Sequence, residues 1–493
     1  MKQGHFLYAI ALWLLWTACE SPAAREERLA RTYCGSCHQF PEPRLLDKTT
    51  WNDFIFPQMA FRMGLDASLI TSIPENDLPF VLPTLPERPM VTEEEWAAIK
   101  NYFLTQAPDS LRTSQPSADT IRQFDVTAVK LPQNTFPLLT LLKADTTTRS
   151  FYTSNRHGLL HRFDYQFNLL DSTKLLSAIS NVIKTQGGDL IATQLGIMDP
   201  NDQPRGSLLS IRAGREEMIV DSLTRPVFTE QTDLNKDGQL DLVVCEFGNY
   251  TGALTVFQKL GDGQYRRHLI NNLPGARRVE VRDFNNDGLN DILVQFTQGN
   301  EQITLFTNAG NFQFRVLTLL QFPPVYGSSY FETADFNGDG HFDLLYANGD
   351  NADYSITLKP YHGIRIFLND GKNQFSESSF LPMHGCSQAM ARDFDKDGDL
   401  DIAAISFFPH FAQTPERGFL YFENRNGTFI PFMTPLGAKG RWLVMEVMDA
   451  DADKDEDIII GALDFNNGTP PNLLSAWKSD PVSLLFFRNK LVP

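Results

Sequence analysis

Five nine-residue segments share the pattern Asp-x-[Asn/Asp]-x-Asp-x-x-x-Asp: DLNKDGQLD from Asp233, DFNNDGLND from Asp283, DFNGDGHFD from Asp335, DFDKDGDLD from Asp393 and DADADKDED from Asp449. Their first residues lie 50, 52, 58 and 56 positions apart. A period of that size suits one four-stranded sheet per repeat, and such units bury their apolar faces only by stacking on one another. An apolar strand follows each segment: Leu242-Val243-Val244, Ile292-Leu293-Val294, Leu344-Leu345-Tyr346, Ile402-Ala403-Ala404 and Ile458-Ile459-Ile460. A third strand and a tight turn come next, as at 363–368 with Asn369-Asp370-Gly371.

The acidic segments have the logic of a hard-cation loop. Oxygens at places one, three, five and nine converge, place seven offers a backbone carbonyl, and glycine at place six permits a positive-φ turn. The candidate ligands are Asp233, Asn235, Asp237, Gln239 and Asp241; Asp283, Asn285, Asp287, Leu289 and Asp291; and Asp335, Asn337, Asp339, His341 and Asp343. The last two loops offer Asp393, Asp395, Asp397, Asp399 and Asp401, and Asp449, Asp451, Asp453, Asp455 and Asp457. Lys454 replaces the glycine in the last loop, which makes a cation there the least expected. Strands rather than helices flank these loops, so the pattern resembles the FG-GAP or VCBS repeats of integrin-like β-propellers. That resemblance implies structural calcium tying the hairpin between the first two strands of a blade. Upstream, Asp189-Leu190-Ile191-Ala192-Thr193 looks like the strand after such a loop, with the loop shrunk to Thr185-Gln186-Gly187-Gly188, and one more blade fits 136–170. The expectation is an all-β propeller over 124–493 with seven blades, calcium in the last five, and 124–131 supplying the outer strand of a final blade whose third strand is 482–488.

Ahead of the repeats stands Cys34-Gly35-Ser36-Cys37-His38, the spacing in which two thiols take haem as thioethers and the next histidine ligates iron. A thioredoxin-like redox pair and half a zinc site compete, but neither needs His38, and no second Cys pair exists. The charged, Ala-rich run 24–33 reads as a helix entering the motif. Thr92 and Glu95 form a capping box before a helix that puts Trp96, Ile99 and Phe103 on one face. This arrangement over 24–106 resembles a small all-α class I cytochrome c domain. The resemblance implies haem c on Cys34 and Cys37, with His38 and a distal Met as axial ligands. Met59, stiffened by Pro57, is preferred and Met63 is the alternative. A His/Met pair closes the iron and favours electron transfer. The Pro-, Ser- and Thr-rich stretch 107–123 reads as a linker.

Residues 1–18 read as a lipoprotein signal peptide, with the short apolar core HFLYAIALWLLW and the run Trp16-Thr17-Ala18 before Cys19, the expected lipidation site. That implies export to the bacterial cell envelope and a lipid anchor in a membrane, on the periplasmic or the surface-exposed face. A net charge of −17 with no basic run argues against nucleic acid. Cys245 and Cys386, on separate repeats, read as buried small hydrophobes.

The long aromatic connections 348–362, 406–418 and 463–480 form a candidate binding face that carries Tyr354, Tyr361, His362, Phe407, Phe408, His410, Phe411 and Trp477. Gln194, Glu246, Asn348 and Ser406, ending second strands, are candidates for ringing the channel mouth. Three functions compete: an exported haem c electron carrier whose propeller docks a redox partner protein or envelope polymer; a propeller-borne oxidoreductase passing substrate electrons to haem; and a calcium-dependent adhesion protein with a redox-sensing haem. The sequence contains none of the hydrolase, zinc-protease or phosphate-loop motifs and favours a carrier over a stand-alone enzyme.

Overall fold

The computed structural model describes residues 20–132, 136–212, 214–261, 263–349, 355, 357–466 and 468–491. The expected signal peptide, Cys19 and Tyr354 lie outside the described residues.

Seven four-stranded antiparallel sheets form a ring, with blades at 139–174, 179–223, 226–271, 276–321, 328–382, 386–433 and 442–489. Their first strands touch those of neighbouring blades and wall the channel, and blade 7 meets blade 1 to close the circle. Each second strand is covered on both faces. In blades 3 to 7 every residue of it is buried, which is why these strands read as continuous apolar runs and not as alternating ones. The outermost strands, such as Tyr265–Asn271 and Phe314–Gln321, are largely exposed.

Ring closure follows the expected route. Phe124–Val129 pairs antiparallel with Leu484–Asn489 as the outer strand of blade 7, in register from Phe124 opposite Asn489 to Val129 opposite Leu484. The propeller thereby joins its two ends through a single sheet, leaving no unpaired edge at the seam. The stretch 107–123 is more firmly held than its composition suggests. Asp119–Thr120 adds a short parallel strand to the edge of blade 6, and the Arg417 guanidinium donates to Gln115 Oε1 (2.9 Å) and to the Pro116 carbonyl (2.5 Å). Backbone pairing and one arginine fix a segment that buries little of its own.

A small helical unit precedes the ring. Helix α1 (Pro22–Cys34) and helix α3 (Glu93–Gln106) contribute Leu29, Ala30, Cys34, Trp96, Ile99 and Phe103 to one core. The capping box is present: Glu95 N–H donates to Thr92 Oγ1 (3.2 Å), and Thr92 N–H to Glu95 Oε2 (2.9 Å). Between them residues 48–62 run as one continuous helix, interrupted by a π turn at Trp51–Ile55 and ending in α2 (Phe56–Arg62). Trp51, Phe56 and Phe103 pack ring to ring at 4.5–6.0 Å and fill its centre.

This unit sits on the propeller face opposite the acidic loops. Val325 and Tyr361 of the propeller belong to the helical unit's own core cluster. Phe61 meets Tyr250 edge-on at 6.2 Å, the Arg62 guanidinium lies 4.3 Å from the Tyr250 ring centre, and Gln203 donates to buried Asp77 at 2.8 Å. The Tyr250 loop is itself held by Asp202, whose buried carboxylate accepts the N–H groups of Asn249, Tyr250 and Thr251 at 2.7–3.0 Å. Among the described residues no helix is long and apolar enough to cross a membrane.

Candidate functional site

Each of the five acidic segments forms the hairpin between a first and a second strand, all on one face of the ring. Two residues per loop are left-handed. Place six is Gly238, Gly288, Gly340 and Gly398 at φ of 81–99°, and in the last loop Lys454 is forced to 74°. Place four is also left-handed, filled by Lys236, Asn286, Gly338, Lys396 and Ala452 at 58–71°. The repeated sequence pattern marks only the first of these positions. The two turns fold the loop into a bowl in which Asp233 accepts the Gly238 N–H (2.9 Å) and Asp237 accepts the Gln239 N–H (2.8 Å), with the same bonds at Asp283 and Asp287. The Asn235, Asn285 and Asn337 amides point their NH2 groups at the place-five carboxylates at 2.8–2.9 Å. Turning the amide over would present a third oxygen to a cation.

The ninth-place aspartates do more than end the motif. Asp241, Asp291, Asp343, Asp401 and Asp457 are wholly buried. Asp291 accepts the Phe284 N–H at 3.1 Å and the Asn308 N–H at 2.7 Å; Asp343 accepts those of Phe336 and Asn369; Asp457 those of Ala450 and Asn489. These three therefore staple the loop's second residue to the end of the third strand, whereas Asp401 accepts the Tyr421 hydroxyl and the Asn424 N–H. Asn308, Asn369, Asn424 and Asn489 return a side-chain bond to the place-eight carbonyl at 3.0–3.2 Å. These asparagines escaped the pattern because they follow the ninth place by 17, 26, 23 and 32 residues.

The last two loops, with aspartate in place of asparagine at place three, gather three carboxylates each. Asp393, Asp395 and Asp397 bring one oxygen each within 4.8 Å of the others, as do Asp449, Asp451 and Asp453, and Asp451, Asp455 and Asp457. Asp393 and Asp399 each leave a buried oxygen without a partner, and Asp455, 1% exposed, leaves both. Burial pushes the carboxyls of Asp401 and Asp457 up to about 7, and burial beside Asp453 pushes Asp455 up to about 6. Unpartnered buried carboxylates are costly, and a divalent cation removes the cost. The residues fit calcium, and the loop in which Lys454 made a cation least expected gathers its carboxylates as closely as the Asp393 loop does.

In the helical unit Cys34 ends α1, buried, and Cys37 lies exposed beyond it; both are free thiols. Burial pushes the Cys34 thiol up to about 12. A redox Cys-x-x-Cys pair needs the opposite, a thiol acidified at a helix N-terminus, so this position disfavours the thioredoxin-like reading. His38 is half-buried, with Nδ1 3.0 Å from the Gln39 carbonyl, which directs Nε2 elsewhere. Burial first, and the nearby Arg62 guanidinium also, hold its pKa below the ordinary value, so the ring is neutral at neutral pH, the form that ligates metal. Met59 and Met63 lie one turn apart on and just after α2, linked by the Met63 N–H to Met59 O bond of 2.9 Å. Met63 is buried in the unit's core and Met59 is half-buried against it. Two thiols, a neutral imidazole and a thioether from the helix that ends beside His38 form a donor set that suits haem c.

The aromatic loops opposite the acidic face turn inward. Trp477 is buried and donates to Ala438 O (2.8 Å), Tyr361 stacks on Tyr326 at 4.8 Å beneath the helical unit, and Phe407, Phe408 and Phe411 surround Arg441. The expectation that Gln194, Glu246, Asn348 and Ser406 ring the channel is corrected. They sit on second strands, which are covered on both faces, and their side chains hold neighbouring loops and strands. The Gln194 amide pairs with the Ser207 hydroxyl at 2.9 Å, Glu246 accepts the Thr224 N–H, Asn348 donates to the Tyr326 and Tyr361 carbonyls, and Ser406 donates to His384 O. Cys245 and Cys386 are free and buried.

A profile of FG-GAP-like repeats matches residues 233–294 and 283–346. No curated protein sequence matches this chain. Solved structures it is similar to include the N-terminal domain of Nup159 (TM-score 0.44, 11% identity, 77% of this chain and 99% of that one). The Cps50 (Swd1) β-propeller domain of Myceliophteria thermophila gives 0.44, 10%, 74% and 99%, and the Pan2 WD40 domain of Neurospora crassa gives 0.45, 11%, 75% and 96%. The chain is thus a seven-bladed β-propeller that contains FG-GAP-like repeats and carries a small helical unit on the face opposite its acidic loops.

Proposed function

We propose that this protein is an exported electron carrier, with haem c in the helical unit and a calcium-stabilised propeller that docks a redox partner protein or an envelope polymer. The observation that carries this reading is the Cys34-x-x-Cys37-His38 motif at the end of α1, with two free thiols and a neutral imidazole beside the Met-bearing helix. Haem c would supply reversible one-electron transfer at an iron closed by two axial ligands. Cys34 and Cys37 would attach it, His38 Nε2 would take one axial position, and Met59, with Met63 as the alternative, the other. The packed aromatic rings of Trp51, Phe56 and Phe103 keep water from this unit's core. Calcium in the five loops would neutralise carboxylates that otherwise repel, and so hold the hairpins that shape the ring. Lipidation of Cys19 would tether the protein to a membrane of the cell envelope.

The test is the visible spectrum of the protein expressed with a haem-attachment system. A low-spin c-type spectrum with a Met–iron charge-transfer band, lost in Met59→Ala and kept in Met63→Ala, is expected. A chain that carries no covalent haem under those conditions overturns the reading. A second reading, substrate oxidation on the propeller with electrons passed to haem, is favoured by one observation. A cavity opens on the propeller face where the helical unit sits, and Thr50 of that unit lies 3.4 Å from Ser355 on its wall. Reduction of the haem by a substrate alone would establish it.

A further inference from the structure

The cavity lies among the connections of blades 5, 6 and 7, has a volume of about 230 Å³, and brings together Lys359, His362, Phe408, His410, Phe411 and Arg441. No carboxylate is among its described lining residues. Lys359 is 3% exposed; it donates to the Ser355 and Thr357 carbonyls at 3.3 and 3.1 Å, which leaves one of its three protons for a further acceptor. Burial lowers its pKa to about 8, so it is still mostly a cation at neutral pH. Arg441 is wholly buried, its guanidinium 4.3–5.3 Å from the ring centres of Phe407, Phe408, Phe411 and Phe465. His362 is 6% exposed and its Nε2 has no partner among the described residues. Burial and the neighbouring Lys359 keep this ring neutral, so it can donate a hydrogen bond without adding charge.

Asp47 of the helical unit attracts Lys359 only from a distance, whereas the Arg441 guanidinium donates to the Thr469 hydroxyl at 2.9 Å and the Arg441 backbone N–H to Asp464 at 2.8 Å. A buried cation with a donor to spare, beside an unpartnered imidazole and aromatic walls, calls for an anion with an apolar body. The volume sets the size. At about 30 Å³ for each water-sized group, the cavity holds roughly eight non-hydrogen atoms. A metal ion is disfavoured because Lys359 and Arg441 repel it.

We propose that this cavity binds a small organic monocarboxylate with an aromatic or branched aliphatic body, its carboxylate held by Lys359 and His362 and its body against Phe408 and Phe411. This site does not require haem, and its test reads binding alone. Titration calorimetry of the full chain with benzoate is expected to give one site per chain. Benzamide, the uncharged analogue, is expected to bind at least about tenfold more weakly, and Lys359→Met to weaken benzoate at least about tenfold. His362→Gln, a milder change, keeps the test sound should Lys359→Met fail to fold, and is expected to weaken benzoate severalfold with the thermal midpoint retained. Three results overturn the proposal: no benzoate heat up to about 10 mM, benzamide binding as tightly as benzoate, or zinc binding that is lost in His362→Gln while benzoate binding is unchanged.

Discussion

Replacing Phe124 by alanine tests whether the N-terminal strand locks the ring. Phe124 is 3% exposed and packs edge-on against Phe394 (5.6 Å), Tyr421 (5.4 Å) and Phe487 (6.2 Å), so its ring joins the outer strand of blade 7 to the cores of blades 6 and 7. Truncating a buried Phe costs about 3–5 kcal/mol through lost burial and the residual cavity. Three ring partners place this site in the upper half of that range, about 4–5 kcal/mol. Thr127, exposed on the same strand opposite Phe486, is the control, and its change to alanine is expected to stay within about 0.5 kcal/mol. Urea unfolding followed by tryptophan fluorescence suits the measurement, because Trp442 and Trp477 are both buried in blade 7 and its connection. The midpoint should fall with the slope unchanged if the ring still unfolds as a unit. A loss for Phe124→Ala below about 1 kcal/mol, or no larger than that of Thr127→Ala, refutes the view that this strand closes the propeller.

Lys454→Gly relieves a left-handed lysine: the strain is about 1–2 kcal/mol and the entropic cost of glycine about 0.5–1 kcal/mol, so thermal unfolding without calcium should show a gain of roughly 0.5–1 kcal/mol, and a loss would show that the side chain holds the loop. Calcium at 100 times its dissociation constant is expected to raise stability by about 2.7 kcal/mol per occupied loop, read as a thermal shift abolished by chelator; magnesium giving the same shift would mean simple charge screening. Tyr250→Ala should loosen the helical unit, since its ring holds both Phe61 and Arg62; the contacts are worth roughly 1–3 kcal/mol, and faster proteolysis within 107–118 is the expected sign, with an unchanged rate counting against this docking. His384, 8% exposed, has its pKa lowered to about 4 by burial. The folded protein therefore binds fewer protons than the unfolded chain between about 4 and 6.5, and stability falls as pH drops through that window, by at most about 3 kcal/mol from this group. His384→Gln should flatten the decline, and an identical pH profile in the variant would refute the assignment.

Five acidic loops at a regular period, the apolar runs after them, and a strand-like segment left over at each end were enough to read seven blades and the route of closure from the chain alone. The helices around Cys34 and after Thr92 were legible for a similar reason, because caps and helical faces are local signals. The cavity was legible only in part: the connections carrying His362, Phe408, His410 and Phe411 stood out as a candidate face, but Lys359 and Arg441 did not, because they lie on separate connections whose spacing carries no period. The asparagines that answer four of the five ninth-place aspartates were not legible, because the intervening loops differ in length while the strands they join do not. The helical unit's seat over Tyr250 and Tyr361 turned the expected open binding face into an interior one. Repetition in sequence determines repeated local geometry, because each loop solves the same bonding problem with the same residues. Only the closed ring decides which distant loops share a face, which polar ends of the second strands are buried, and which cations are left facing a cavity.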